Sequence, residues 1–190
     1  MPASGKSTLA RKVARSLDLP VLEKDEIKEA LFDTVGFRCY KEKRQLDVAA
    51  TEVLLRCTDS ILSTGQSLII VNNFRPEKQA DVEGLIAKYG ARAALVFLGG
   101  NADVFYRRYV ERDNLHARHL GHIVQEHYPL LPGDSPDYTM TREEFAEKFE
   151  KLGMTDFNLD CPRLEVDASI DGVIDAGAVA EWLQKTLASE

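Results

Sequence analysis

The sequence predicts an α/β fold in which a mostly parallel sheet is covered by helices on both faces. Three observations carry that expectation. Short, near-continuous apolar runs alternate with longer stretches of helical spacing, as in strands buried on both sides. The tract Ser4-Gly5-Lys6-Ser7-Thr8 leads directly into the first of the helical stretches. The 190 residues suffice for one domain, 1–190, with a substantial core.

The elements follow in chain order. A helix starts at about Lys6, because Leu9, Val13 and Leu17 recur on one stripe. Residues 19–22 read as a short strand, 25–32 as a helix, and about 41–62 as a long helix. Gly65 marks the turn into a stronger strand at 67–72, and a helix at 76–89 opens on a proline. The strand at 93–98 is stronger again and ends at Gly99-Gly100; a helix at 102–112 follows. From 128 to 160 the chain is irregular, with Pro129, Pro132-Gly133-Asp134 and Ser135-Pro136 marking a loop. A charged helix at 141–152 lies within it, and Thr141 with Glu144 fits a capping box. A weaker strand at 163–167 precedes the last helix, 176–187, where Trp182 is expected as a packing anchor.

Chemistry enters at the first helix. Gly5, Lys6 and Ser7 fill the last three places of the phosphate-binding motif G-x-x-x-x-G-K-[ST]. Its first glycine would fall one residue before Met1, and the strand that normally leads into it is expected to be absent. The expectation is therefore that Met1 lies inside a longer reading frame and that a central strand is missing from this chain. Gly5 allows the tight turn that points backbone N–H groups at an anion, and the helix adds its positive end. Lys6 can reach β- and γ-phosphates, and the Ser7 hydroxyl suits Mg²⁺.

Bulk properties narrow the partners. Acidic residues outnumber basic ones 31 to 24, a formal charge of −7, which disfavours a nucleic-acid backbone. Cys39, Cys57 and Cys161 are widely spaced and read as reduced thiols, with Cys57 a small core residue. With no apolar run of membrane length and no signal-like opening, a soluble cytoplasmic enzyme without a membrane partner is expected.

Further candidates flank the loop. Asp25, after the first strand, is placed to accept a proton from an attacking hydroxyl or to hold a Mg²⁺-bound water; alternatively it favours the start of the next helix. Asn72 and Asn73 end the second strand, where many phosphate-binding-loop proteins carry an acid; they serve either as substrate contacts or as a turn. Arg107, Arg108, Arg112, Arg118 and His119 crowd one region, with Arg108 and Arg112 on one helix face. Such arginines suit a transferring phosphoryl group, although charged helix faces are commonly just solvated. In Arg118-His119-Leu120-Gly121-His122, Gly121 is expected to break a helix. Asp33-Thr34-Val35-Gly36 matches the D-x-x-G of GTPase switches, but it follows a helix and no N-K-x-D accompanies it, so a GTPase is rejected.

These residues resemble a family. The opening from Pro2 to Ala10 is similar to the G-x-P-[AG]-S-G-K-S-T-x-[AL] start of small P-loop kinases of the AAA_33 and zeta-toxin-like type. Lys24-Asp25-Glu26-Ile27-Lys28 resembles their segment after strand two, and the run from Leu68 to Phe74 their hydrophobic strand ending in N-F. Arg112 and the Arg118 to His122 run resemble the lid pattern R…R-H-P-G-H, with Leu120 in place of Pro. The resemblance implies a three-layer α/β/α P-loop NTPase of strand order 2-3-1-4-5, a small helical lid at about 107–128, and ATP/Mg²⁺-dependent phosphoryl transfer. Residues 129–160 would then be an insertion. Ala3, Ser4, Gly5, Lys6, Ser7 and Thr8 would hold ATP, joined by Arg112 and Arg118 from the lid. Ser7 and Asp25 would serve the Mg²⁺, and Lys6, Asp25, Arg112 and Arg118 the transfer to a small-molecule hydroxyl acceptor. Two other expectations stay open: nucleotide binding without transfer, and a toxin-like kinase held by a protein antidote.

Overall fold

The computed structural model describes residues 2–115, 117–136, 140–153, 155–170 and 174–188. Met1, position 116 of the expected lid, and positions 137–139 and 154 of the expected insertion lie outside them. The elements run α1 (Lys6–Leu17), β1 (Val21–Glu23), α2 (Lys24–Val35), α3 (Tyr40–Ser63), β2 (Ile69–Val71) and a 3-10 turn (Pro76–Lys78). They continue with α4 (Gln79–Tyr89), β3 (Leu95–Gly99), α5 (Ala102–Asn114), α6 (Leu120–Ile123), α7 (Arg142–Lys151), β4 (Arg163–Asp167) and α8 (Ala176–Ala188).

Hydrogen bonding joins β1 to β2 and β3 to β4, both parallel, with Val21 opposite Ile69 and Leu95 opposite Arg163. It therefore fixes neighbours within each pair and leaves the order across the two pairs open. Side chains alternate across β3. Val96 and Leu98 join the core under α1, α5 and α8, while Leu95 turns to the cluster under α3 and α4. Helices thus cover both faces, as parallel strands require. Among the described residues no helix is long and apolar enough to cross a membrane.

Several boundaries move for identifiable reasons. The first strand starts at Val21, after Pro20, which has no N–H but accepts from the Ile69 amide at 2.9 Å. Helix α2 runs on to Val35 and stops at Gly36, whose φ of 68° suits glycine. The Asp33 to Gly36 tract is thus the last turn of a helix and its exit. The capping box at Thr141 and Glu144 forms.

Other expectations are corrected. Gly121 does not break a helix; it lies inside the one-turn α6, where a Cβ would stand 2.3 Å from Phe32 Cδ2. The fully buried Phe32 ring fills that space and meets Phe37, His119, His122 and Tyr128. Trp182 is only half-buried; α8 is anchored by Val179 and Ala180 instead. Cys57 is half-buried as well, and all three thiols are free.

Candidate active site

One cleft of about 290 Å³ lies at the amino end of α1 and the carboxyl ends of β1 and β2, where ligands of open α/β sheets gather. The turn into α1 is made by two residues at positive φ, Ala3 at 56° and Gly5 at 83°. Among the described residues nothing lies within 4 Å of where a Gly5 side chain would begin. Helix α1 has neither a side-chain cap nor an acidic residue in its first turn. By contrast, α5 and α7 are capped by Asn101 and Thr141. The first N–H groups of α1 therefore keep their capacity for an anion.

Ala3, Gly5, Lys6, Ser7 and Thr8 all line the cleft. Ser4 does not; it is buried beneath the turn, its hydroxyl 3.4 Å from Lys6 Nζ. Burial pushes the Lys6 ammonium down to about 8. Asp25 works against that shift, while Arg112 and Lys24 add to it.

Asp25 sits in the first turn of α2, one residue after Lys24, where β1 passes directly into the helix. Its carboxylate opens to the solvent of the cleft but has protein on most sides. Enclosure alone would raise its pKa; the positive charges of His122, Lys24, Lys28 and Arg118 outweigh that and hold it below the ordinary value. It is thus ionised at neutral pH, suited to orienting a hydroxyl or a metal-bound water.

Arg112 and Arg118 reach the cleft from the end of α5 and the segment after it. Among the described residues, Arg112 Nε is buried without a hydrogen-bond partner. Arg118 is positioned by Asp113 at 3.6 Å and by the Tyr109 ring at 5.3 Å. Arg108 turns away to the carbonyls of Ala168 and Ser169, and Arg107 is exposed, so neither joins the site. His122 lines the cleft and holds Glu29 at 3.0 Å; burial lowers its pKa, partly offset by that carboxylate. His119 instead faces Asp33. Asn72 and Asn73 both line the cleft, and Asn72 Oδ1 is buried without a partner among the described residues.

The sequence points to the long helix at about 41–62 and the 128–160 segment for an acceptor pocket, but it singles out no residue of the wall opposite the loop. Tyr40, Lys43, Arg44 and Asp47 line it from α3, at spacings that place them on one helix face. Lys28, Arg75 and Lys148 join them. The helical spacing of 40, 43, 44 and 47 was a usable signal. In a chain without tertiary contacts, however, such a stripe reads as a solvated face.

The donor set fits a nucleotide that carries its own metal. Among the described residues no cluster of three His, Cys, Asp or Glu could hold a metal ion alone. The Ser7 hydroxyl, the Asp25 carboxylate and the orphaned Asn72 Oδ1 are oxygen ligands of the kind Mg²⁺ takes alongside phosphates and water.

The fold is shared with solved structures. A crystal structure of a "putative kinase" from Chloroflexus aurantiacus J-10-fl is similar at 28% identity and a TM-score of 0.80, covering 98% of this chain and 94% of that one. Shikimate kinase from Bacteroides thetaiotaomicron shares the fold at 18% identity and a TM-score of 0.52, with the same coverage. The AAA_33 family, an AAA domain, matches residues 1–124. The chain therefore belongs to the AAA_33 family and has the α/β fold of a small P-loop kinase.

Proposed function

We propose that this chain transfers the γ-phosphoryl group of ATP to a hydroxyl of a small-molecule acceptor. One observation carries the reading: the uncapped start of α1, with Lys6 and Ser7, shares a single cleft with Asp25, Arg112 and Arg118. In this reading the turn from Ala3 to Gly5 and the first amides of α1 cradle the phosphates, and Thr8 lies toward the α-phosphate. Lys6 neutralises the β- and γ-phosphates. Mg²⁺, held by Ser7 and by water on Asp25, would supply further neutralisation of the phosphate oxygens. Asp25 orients the acceptor hydroxyl and takes its proton as the oxygen bonds to phosphorus. Its low pKa suits a loose transition state, in which that proton leaves late. Arg112, with an unpartnered Nε, and Arg118 compensate the charge spreading over the phosphoryl oxygens. The 107–128 segment serves as the lid that keeps water out.

A second reading, nucleotide binding without transfer, is favoured by Asn72 standing where an acid is usual. Calorimetric titration of Mg²⁺-ATP, followed by a screen for phosphorylated metabolites, tests both. Binding with a phosphorylated product that is lost in Lys6→Ala supports transfer. Binding with no product across the screen supports the second reading, and no binding at all removes both.

A further inference from the structure

The cleft continues past Asp25 into a half that the triphosphate does not need. There Asp47 Oδ1 accepts from both Lys24 and Lys28 at 2.8 Å. Its other oxygen is approached by Arg44 at 3.8 Å and Arg75 at 3.9 Å, distances too long for hydrogen bonds. One carboxylate thus faces four cations. Lys148 adds a fifth from α7 and, among the described residues, has no carboxylate partner. Partial loss of water and the charges of Arg118, Lys28, Arg44 and Arg75 all depress its pKa. Among the described residues, nine lysines and arginines line the cleft against three carboxylates, in a chain whose formal charge is −7.

Like charges gathered in a partly enclosed space repel, and the arrangement needs a counter-charge that the described residues do not supply. On the phosphotransfer reading, Lys6, Arg112 and Arg118 are engaged with ATP. Lys43 is occupied by two backbone carbonyls, those of His122 and Val124. The cations around Asp47 remain in excess. A monocarboxylate offers one charge, whereas a phosphate monoester carries close to two near neutrality and presents three acceptor oxygens. Arg75, whose guanidinium makes only long ion pairs, to Asp47 and Glu77, among the described residues, retains its fork for such a group.

We propose that the acceptor is itself a phosphate monoester with a free hydroxyl, its phosphate seated against Lys28, Arg75 and Lys148 and its hydroxyl presented to Asp25. This rests on the phosphotransfer reading above. The hydroxyl oxygen forms a bond to the γ-phosphorus as the bond from that phosphorus to the β–γ bridging oxygen breaks. The hydroxyl proton passes through Asp25 to solvent, ADP leaves, and the product bears two phosphate groups.

The test uses the full chain saturated with Mg²⁺ and a non-hydrolysable ATP analogue, so that the loop at Gly5 is filled. Inorganic phosphate titrated into this complex should bind. Its affinity should fall at least tenfold in Arg75→Gln and in Lys148→Gln, while affinity for the analogue stays within twofold. In ATP-consumption assays, ribose 5-phosphate and glycerol 3-phosphate should outperform ribose, glycerol and gluconate by tenfold or more as a class. Phosphate binding that is unchanged in both variants would overturn the proposal. So would neutral or carboxylate acceptors performing as well as the phosphorylated ones. Lys148 is exposed, so its variant remains informative if Arg75→Gln misfolds. Failure of the analogue to bind would remove the phosphotransfer reading instead, and phosphate titrated into the Lys6→Ala protein would then decide the anion site separately.

Discussion

Lys43 on α3 donates from Nζ to the carbonyl oxygen of His122 at 3.0 Å, across 79 positions of sequence. The same ammonium also donates to the Val124 carbonyl, so one buried side chain closes the end of α6. Lys43→Met would leave both carbonyls unpaired, at about 1–3 kcal/mol each. Urea denaturation should show a loss in that range, and an unchanged midpoint would mean that water replaces the ammonium.

The same lysine gives a pH dependence of known sign. Burial foremost, with Lys28, Arg118 and Lys148 adding to it, lowers its pKa from the ordinary 10.5 to about 7. Between those values the unfolded chain binds a proton that the folded protein lacks, so this contribution makes stability rise with pH across that window. Wild type should therefore gain on Lys43→Met between pH 7 and 10. A gap that stays constant would show that Lys43 remains charged throughout.

Lys6 couples nucleotide affinity to protons. Its ammonium titrates at about 8 in the free protein, and an arriving triphosphate should raise that value. Binding near pH 8.5 should then take up a proton, and affinity should weaken as pH rises above 8, by at most tenfold per unit. Calorimetry in buffers of different ionisation enthalpy reads the proton directly. Lys6→Ala should lower kcat/KM by about 10²–10³ or more.

Asp25→Asn separates chemistry from binding. Turnover should fall by about 10²–10⁴ while affinity for the ATP analogue is retained. Because His122, Lys24, Lys28 and Arg118 hold the carboxyl below its ordinary value, no acid limb from Asp25 should appear above about pH 4. Full activity in Asp25→Asn would remove its assigned role.

Gly121→Ala would drive a methyl group to 2.3 Å from the Phe32 ring, which is fully buried and cannot retreat into solvent. Overpacking of this kind costs about 1–3 kcal/mol. Thermal unfolding should show the loss, and Phe32→Leu in the same chain should recover part of it. Strict additivity of the two changes would mean that they do not share the space.

What the sequence determined by itself is local. The start of α1, the capping box at Thr141 and the strand at Arg163–Asp167 were legible from residues within a few positions of one another. The Gly5-Lys6-Ser7 chemistry is local too, since one turn and one helix end create it. The partners of Asp47 were decided only by tertiary structure: Lys24 and Lys28 come from α2, Arg44 from α3 and Arg75 from beyond β2. So was the fate of Gly121, a helix breaker by propensity that packs within a helix because Phe32 occupies the place of its missing side chain. Charges and small residues carry little positional information in a chain. Their meaning depends on which surfaces fold toward them, and here the apolar faces of α2 and α3 brought a scattered set of cations to one cleft.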